Sequence, residues 1–194
     1  MYPLKRFSLL FLLVLTVFAA SSCSSVSDKI MYPLEYKTEI VGYGEKYSIP
    51  PEIVCAVIRT ESGFDVYAES SAGALGLMQI LPSTGEEIAL RLGENFDAEA
   101  LKEPETNIKY GCFYLSYLYR NLGCNWDTAC AAYNAGIGRV KSWLDDSTYS
   151  DDGISLKSIP IKETDNYVKK INKYSKKYKE IYFSDGGKYS DDEQ

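Results

Sequence analysis

Apolar positions along this 194-residue chain recur at intervals of three and four, the spacing of helices buried on one side. The clearest case is Val54, Val57 and Ile58 at i, i+3 and i+4, with Glu61 completing the stripe at i+7. Pro51 suits the first turn of that helix, where its missing N–H costs nothing, and Gly63 suits its end. Tyr36 to Tyr47, ahead of it, is moderately helical, with Ile40, Val41 and Tyr43 or Tyr47 able to face inward. Thr84 to Leu92 predicts the next helix, with Pro82 before it, Ser83 as its cap and Gly93 after it. Asp97 to Lys102 is a short turn-rich element. From Glu105 to Leu122, Ile108, Cys112, Leu115, Leu118 or Tyr119 and Leu122 mark a long helix that stops at Gly123. Trp126 to Tyr133 and Arg139 to Leu144 read as shorter helices separated by a break at Asn134 to Gly138, and Asp145 to Gly153 as a mobile acidic surface loop. The last helix runs from Glu163 to Tyr182, with Val168, Ile171, Tyr174, Tyr178 and Ile181 on one side. No convincing strand run, internal repeat or heptad seam occurs, so the predicted class is all-α.

Composition narrows the chemistry. The length fits one domain with short extensions, large enough to bury a core. There is no histidine, which excludes Ser-His-Asp and Cys-His nucleophile arrangements and the usual His-containing zinc and iron sites. Acid–base work must fall to carboxylates, Tyr or Lys. A formal charge of −6 argues against nucleic acid as a partner. Lys and Tyr do interleave between Tyr167 and Tyr182, but acids flank that segment.

The ends read differently from the body. Lys5 and Arg6 precede an apolar run from Phe7 to Ala20, the pattern of a secretory signal and short for a membrane span. Ala19-Ala20-Ser21-Ser22 leads directly to Cys23, which resembles a bacterial lipoprotein processing site, with Ala20 where Leu is usual. The expected organisation is a signal peptide over 1–22, a lipid-anchor site at Cys23 with a tether over 23–31, a folded domain over 32–183 and a disordered acidic tail over 184–194. Cleavage near Ala20 without lipid, or retention as an uncleaved anchor, are the alternatives. With Cys23 lipidated, Cys55, Cys112, Cys124 and Cys130 remain, enough for two disulfides in an exported chain. The short separation favours Cys124 with Cys130; for Cys55 and Cys112, small buried thiols are the plainer reading. The four lack the paired short spacings of a metal site, so no metal is expected.

One residue invites a catalytic reading. Glu61 projects from an apolar helical face in the last turn, where burial and the negative helix end both disfavour the ionised carboxylate. A carboxyl that stays protonated near neutral pH is what a general acid for a glycosidic oxygen requires. A solvated residue at a helix end would meet the same pattern. Five stretches separate the two possibilities: Glu61-Ser62-Gly63-Phe64-Asp65, Ser70-Ser71-Ala72-Gly73-Ala74, Gly76-Leu77-Met78-Gln79-Ile80-Leu81-Pro82, Ala131-Ala132-Tyr133-Asn134-Ala135-Gly136-Ile137-Gly138-Arg139-Val140, and Ile159-Pro160-Ile161-Lys162-Glu163-Thr164. Over roughly residues 33 to 180 these resemble the SLT-type lytic transglycosylases, which have a goose-lysozyme-like fold and cleave the glycan of peptidoglycan.

The resemblance implies roles. Glu61 would be the catalytic acid and base. Gln79 would hydrogen-bond the sugar in the cleft, and the Tyr133 hydroxyl would sit near the catalytic carboxyl and help orient it, with Asn134 beside it. Glu163 would help bind the saccharide, and Ser62 and Ser70 would line or support the site. For Tyr133 a core aromatic, and for Glu163 a first-turn acid of the last helix, are the plain alternatives. Leu81 departs from the Met found in many members, which should alter packing against the sugar and leave the chemistry intact. No cofactor is implied. The expected partners are peptidoglycan glycan strands and, through the anchor, a membrane; a monomer is expected. Ordinary glycosidases pair two carboxyl groups. Asp65 and Glu69 are nearest to Glu61 in sequence without a setting that fixes either, and Glu86 and Glu87 read as solvated. A single acid favours lytic transglycosylation over muramidase hydrolysis; a catalytically silent glycan-binding envelope lipoprotein is the reading from another class.

Overall fold

A computed structural model describes residues 27–184. The predicted signal segment, Cys23 and the acidic tail beyond Ser184 lie outside the described residues. The chain divides into two units after Leu34. In the first, residues 27–31 form a short helix.

The regular elements of the second unit are helices: α1 (Lys37–Tyr47), α2 (Pro51–Glu61), α3 (Pro82–Leu92), a 3-10 turn (Glu99–Lys102), α4 (Pro104–Asn121), α5 (Trp126–Ala135), α6 (Ile137–Leu144) and α7 (Lys162–Tyr182). Among the described residues β-pairing is limited to isolated bridges, Glu69 with Leu75, Leu75 with Ile80 and Ser150 with Leu156. The all-α class therefore holds.

α2 is the centre. Its sequence predicts one apolar stripe, yet Val54, Cys55, Ala56, Val57 and Ile58 are all fully buried, because the helix is surrounded. It packs most extensively along α7 and also against α1, while α4 lies against α1, α3 and α5. Ile108, Cys112, Leu115 and Leu118 of α4 are solvent-free, as their spacing predicts. Each such side chain contributes about 1.5–3 kcal/mol when taken fully out of water. Polar ties fix α1 on α4: Tyr43 donates to Glu105 Oε1 at 2.9 Å and Ser116 donates to the Tyr47 carbonyl at 2.8 Å.

Several expectations change. α3 begins at Pro82, its preceding residue is Leu81, and Ser83 lies within the first turn and makes no capping hydrogen bond. Proline at the first helical position needs no N–H partner, so the start is set without a polar cap. α5 continues through Asn134 to Ala135 and α6 starts at Ile137, so the break is Gly136 alone, at φ 89°. α5 does carry a polar cap: Asn125 accepts from Thr128 N–H at 3.0 Å. The stretch 145–153 is not a loose loop. Asp152 Oδ1 accepts from the N–H groups of Ile154 and Ser155 at 2.8 and 2.7 Å, and Thr128 of α5 donates to the Ile154 carbonyl at 2.8 Å. The favoured Cys124–Cys130 pair does not form; Cys55, Cys112, Cys124 and Cys130 are all free. Cys130 points into the core from α5, whereas Cys124 is exposed on the turn after α4.

Candidate active site

α2 ends at Glu61, whose carboxyl is partly buried where the helix meets α7. Burial raises its pKa to about 7, against a hydrogen bond from Tyr167 that lowers it. Tyr167 is itself 6 % exposed, and burial, with the nearby Glu61 carboxylate, holds its phenol well above its ordinary value. It therefore keeps its proton and donates it to Glu61 Oε1 at 2.7 Å.

A cleft of about 310 Å³ opens over this pair. The end of α2 supplies Thr60 and Glu61, and α5 supplies Asn134. The first two turns of α7 supply the rest: Glu163, Asn166, Tyr167 and Lys170, the i, i+3, i+4, i+7 pattern of one helical face. Thr164 fixes α5 against α7 by donating to Asn134 Oδ1 at 2.8 Å.

The segment between α2 and α3 is held in place from below. Ser62 Oγ donates to the Leu77 carbonyl at 2.9 Å and accepts from Phe64 N–H at 3.1 Å, clamping the end of α2 to the turn over 76–79. Ser70 Oγ accepts from Ala74 N–H at 3.0 Å. Gln79 adopts a left-handed φ of 48°, and its Nε2 donates to the carbonyls of Ala68 and Gly76, both at 3.0 Å. The hub is Asn107 on α4, fully buried. It accepts from Met78 N–H at 2.7 Å and donates to the carbonyls of Leu75 and Leu101 at 2.9 and 2.6 Å. Two glycines permit this approach. A Cβ on Gly76 would collide with the Leu101 carbonyl and Asn107, and one on Gly111 would collide with the Met78 side chain.

Of the residues named from sequence, Glu61, Asn134 and Glu163 share the cleft. Ser62, Ser70 and Gln79 do not line it and bond within the loop instead, the amide nitrogen of Gln79 being taken up by the Ala68 and Gly76 carbonyls. Tyr133 lies near the carboxyl but bonds elsewhere. Its hydroxyl lies near enough for Glu61 to raise its pKa, yet it donates to the Met78 carbonyl at 2.8 Å, and Tyr167 holds the carboxyl instead. Sequence reasoning missed Tyr167, Asn166, Lys170 and Asn107. The face Glu163-Asn166-Tyr167-Lys170 could have been found by continuing the helical period from Glu163. Asp65 and Glu69 are exposed, and Asp65 caps Tyr67 N–H at 2.9 Å; Glu87 pairs with Arg91 on the surface of α3. Leu81 is 40 % exposed, so its difference from Met alters a surface and leaves the core unchanged.

A helical domain that ends its central helix on a partly buried carboxyl, its pKa raised to about 7, beside an open cleft is of the lysozyme-like class. The chain belongs to the transglycosylase SLT domain family, whose model matches residues 40–154. It is 38 % identical over 151 residues to the soluble lytic murein transglycosylase of Salmonella typhimurium, covering 76 % of this chain and 23 % of that protein. It is 34 % identical over 161 residues to membrane-bound lytic murein transglycosylase C of Actinobacillus pleuropneumoniae, covering 71 % of this chain and 44 % of that one. Its fold matches the crystal structure of an inactive glutamate-to-glutamine mutant of lytic transglycosylase Slt from Pseudomonas aeruginosa, at TM-score 0.72 and 30 % identity, over 80 % of this chain and 26 % of that one. The chain thus spans less than half the length of each of these relatives.

Proposed function

We propose that the chain is a peptidoglycan lytic transglycosylase that cleaves the β-1,4 bond between N-acetylmuramic acid and N-acetylglucosamine and leaves 1,6-anhydromuramic ends. The observation that carries this reading is Glu61: a cleft carboxyl with a pKa near 7, oriented by a phenol that cannot give up its own proton. Membership of the family and the relatives' names support the substrate.

The chemistry follows from one group. Glu61, protonated, donates to the bridging oxygen as the glycosidic bond breaks. As a carboxylate it then takes the proton of the muramic 6-hydroxyl, whose oxygen attacks C1 and closes the anhydro ring. Glu61 ends the cycle protonated, and water is not consumed. Tyr167 stabilises the carboxylate between the two steps, since its hydrogen bond favours the ionised form. The 6-hydroxyl is tethered to the reacting sugar, which gives it an effective concentration that a loosely held water lacks. Asn134 and Glu163 are placed to hold the saccharide.

Glu163 is a second carboxylate in the same cleft, so hydrolysis is the reading to test against. It is exposed on the first turn of α7, and among the described residues no hydrogen bond fixes it as activation of water would need. Digestion of purified peptidoglycan in ¹⁸O-labelled water decides between them. The proposal expects unlabelled anhydro products, about 18 Da lighter than hydrolytic ones by one water. Labelled reducing-end muramic acid as the main product would make the chain a muramidase, and binding without any release of muropeptides would make it a silent binder.

The same reading places the chain in the bacterial envelope, tethered through lipid on Cys23. The signal-like run before that cysteine supports the anchor, as do relatives named membrane-bound. Cys23→Ala should leave the protein unprocessed or released from membranes, and a mature N-terminus elsewhere than Cys23 would remove the anchor.

A further inference from the structure

The last helix is charged against the grain of the protein. Residues 162–182 carry seven lysines and three acids, a net of +4 in a chain whose total is −6. Three of the lysines are paired: Lys169 with Asp165 at 2.6 Å, Lys177 with Glu180 at 3.0 Å and Lys179 with Glu52 at 3.8 Å. Lys170, Lys173 and Lys176 are exposed, and among the described residues no carboxylate pairs with them. They are not scattered. Lys170 lines the cleft beside Glu61, and Lys173 and Lys176 follow at three-residue steps, so the row leaves the cleft edge and winds onto the outer face of α7. From Lys170 to Lys176 the row climbs about 9 Å at the α-helical rise, the length of about three extended peptide residues.

We infer that Lys170, Lys173 and Lys176 form a track for the carboxylates of the peptide stem borne by the muramic sugar bound in the cleft. This rests on the proposed function, which puts a muramic residue beside Glu61. A stem leaves that sugar through its lactyl group, is a few residues long and carries free carboxylates. A strand bearing such stems is a polyanion that a protein of net charge −6 would otherwise repel. Unpaired ammonium groups that start at the cleft offset this repulsion and give the stem a direction. An anionic membrane surface would need a flat array of cations and no continuity with the cleft; the row begins inside it.

The test reads binding, in a Glu61→Gln background that prevents turnover. Immobilised native glycan strands are compared with strands whose stem carboxylates have been chemically amidated, which keeps the stems and removes their charge. Native strands should bind about tenfold more tightly at low salt, with the preference gone once about 0.5 M salt screens it. Lys173→Gln/Lys176→Gln, both at exposed positions away from the acid, should lose most of that preference and bind amidated strands as before. Equal binding of native and amidated strands overturns the inference, as does equal loss on both by the lysine variant. Unchanged strand binding with lost adsorption to phosphatidylglycerol vesicles also overturns it, and assigns the row to a membrane surface. If the chain with Glu61 intact cleaves no peptidoglycan, the proposed activity falls while this comparison still decides stem recognition.

Discussion

Burial and the Tyr167 hydroxyl act on Glu61 in opposite senses, and burial wins. The consequences run in both stability and activity. Below about pH 4.5, the ordinary value for this carboxyl, it is neutral in folded and unfolded chains alike and costs nothing. Between there and about pH 7 only the unfolded chain releases the proton, so stability falls as pH rises through that window. The total is about 3 kcal/mol from the size of the shift. Glu61→Gln should therefore leave stability unchanged at pH 4 and raise it by up to about 3 kcal/mol at pH 8, measured by urea unfolding at the two pH values. The same variant should lose activity by about a hundredfold or more on purified peptidoglycan. Activity within a few-fold of the parent would remove Glu61 from the acid role. In the proposed reaction the acid form starts the cycle, so wild-type activity should decline as pH rises through about 7. Tyr167→Phe removes a hydrogen bond that favours the carboxylate. The alkaline limb should then move to higher pH while kcat falls about tenfold, from the loss of orientation and of roughly 1.5–3 kcal/mol of charge-assisted bonding. A limb that stays in place or moves to lower pH would count against this account.

At the level of elements, the site depends on how tightly the turn over 75–80 is pressed onto α4. Asn107→Leu keeps the volume but leaves Met78 N–H and the Leu75 and Leu101 carbonyls without their partner in a dry setting. Each abandoned group costs about 1–3 kcal/mol, so a loss of about 3 kcal/mol or more is expected in denaturant unfolding, with activity reduced in parallel. This explains what could and could not be read from the sequence. The helices were legible because apolar spacing and the Pro–Gly punctuation are local, as in Ile108 to Leu122. The site was legible only as far as its local motifs reached. Glu61 showed itself as a carboxyl on an apolar stripe. Tyr167 did not, because a helical stripe says that an aromatic faces inward and says nothing about which distant group its hydroxyl meets. Asn107 was hidden for the same reason: a buried amide in a helix declares its partners only once the loop folds against it. The role expected of Tyr133 rests on the family motif alone, and which of two phenols on different helices bonds the carboxyl is decided by packing: Tyr167 donates to Glu61 and Tyr133 to the Met78 carbonyl.

For the whole molecule, absence of covalent cross-links among the described residues means that packing and hydrogen bonds hold the helices. Cys55, Cys112 and Cys130 are buried thiols and burial raises the pKa of each, whereas Cys124 is exposed. An alkylating reagent should modify Cys124 in the folded protein and the other three only after unfolding, read by mass spectrometry of peptides. Protection of Cys124 from the reagent until a reductant is added would show that it is bonded after all. Melting of the folded unit should be indifferent to reductant.

The hydroxyl that Glu61 relies on comes from 106 residues further along the chain, on the helix that closes the described fold. The two parts of the site are thus far apart in the chain and joined only by folding: α2 carries the carboxyl, and α7 supplies both the hydroxyl and the packing alongside it. Loosening α7 from α2 should open Glu61 to water and let its pKa fall back toward the ordinary carboxylate value, because burial is what raises it.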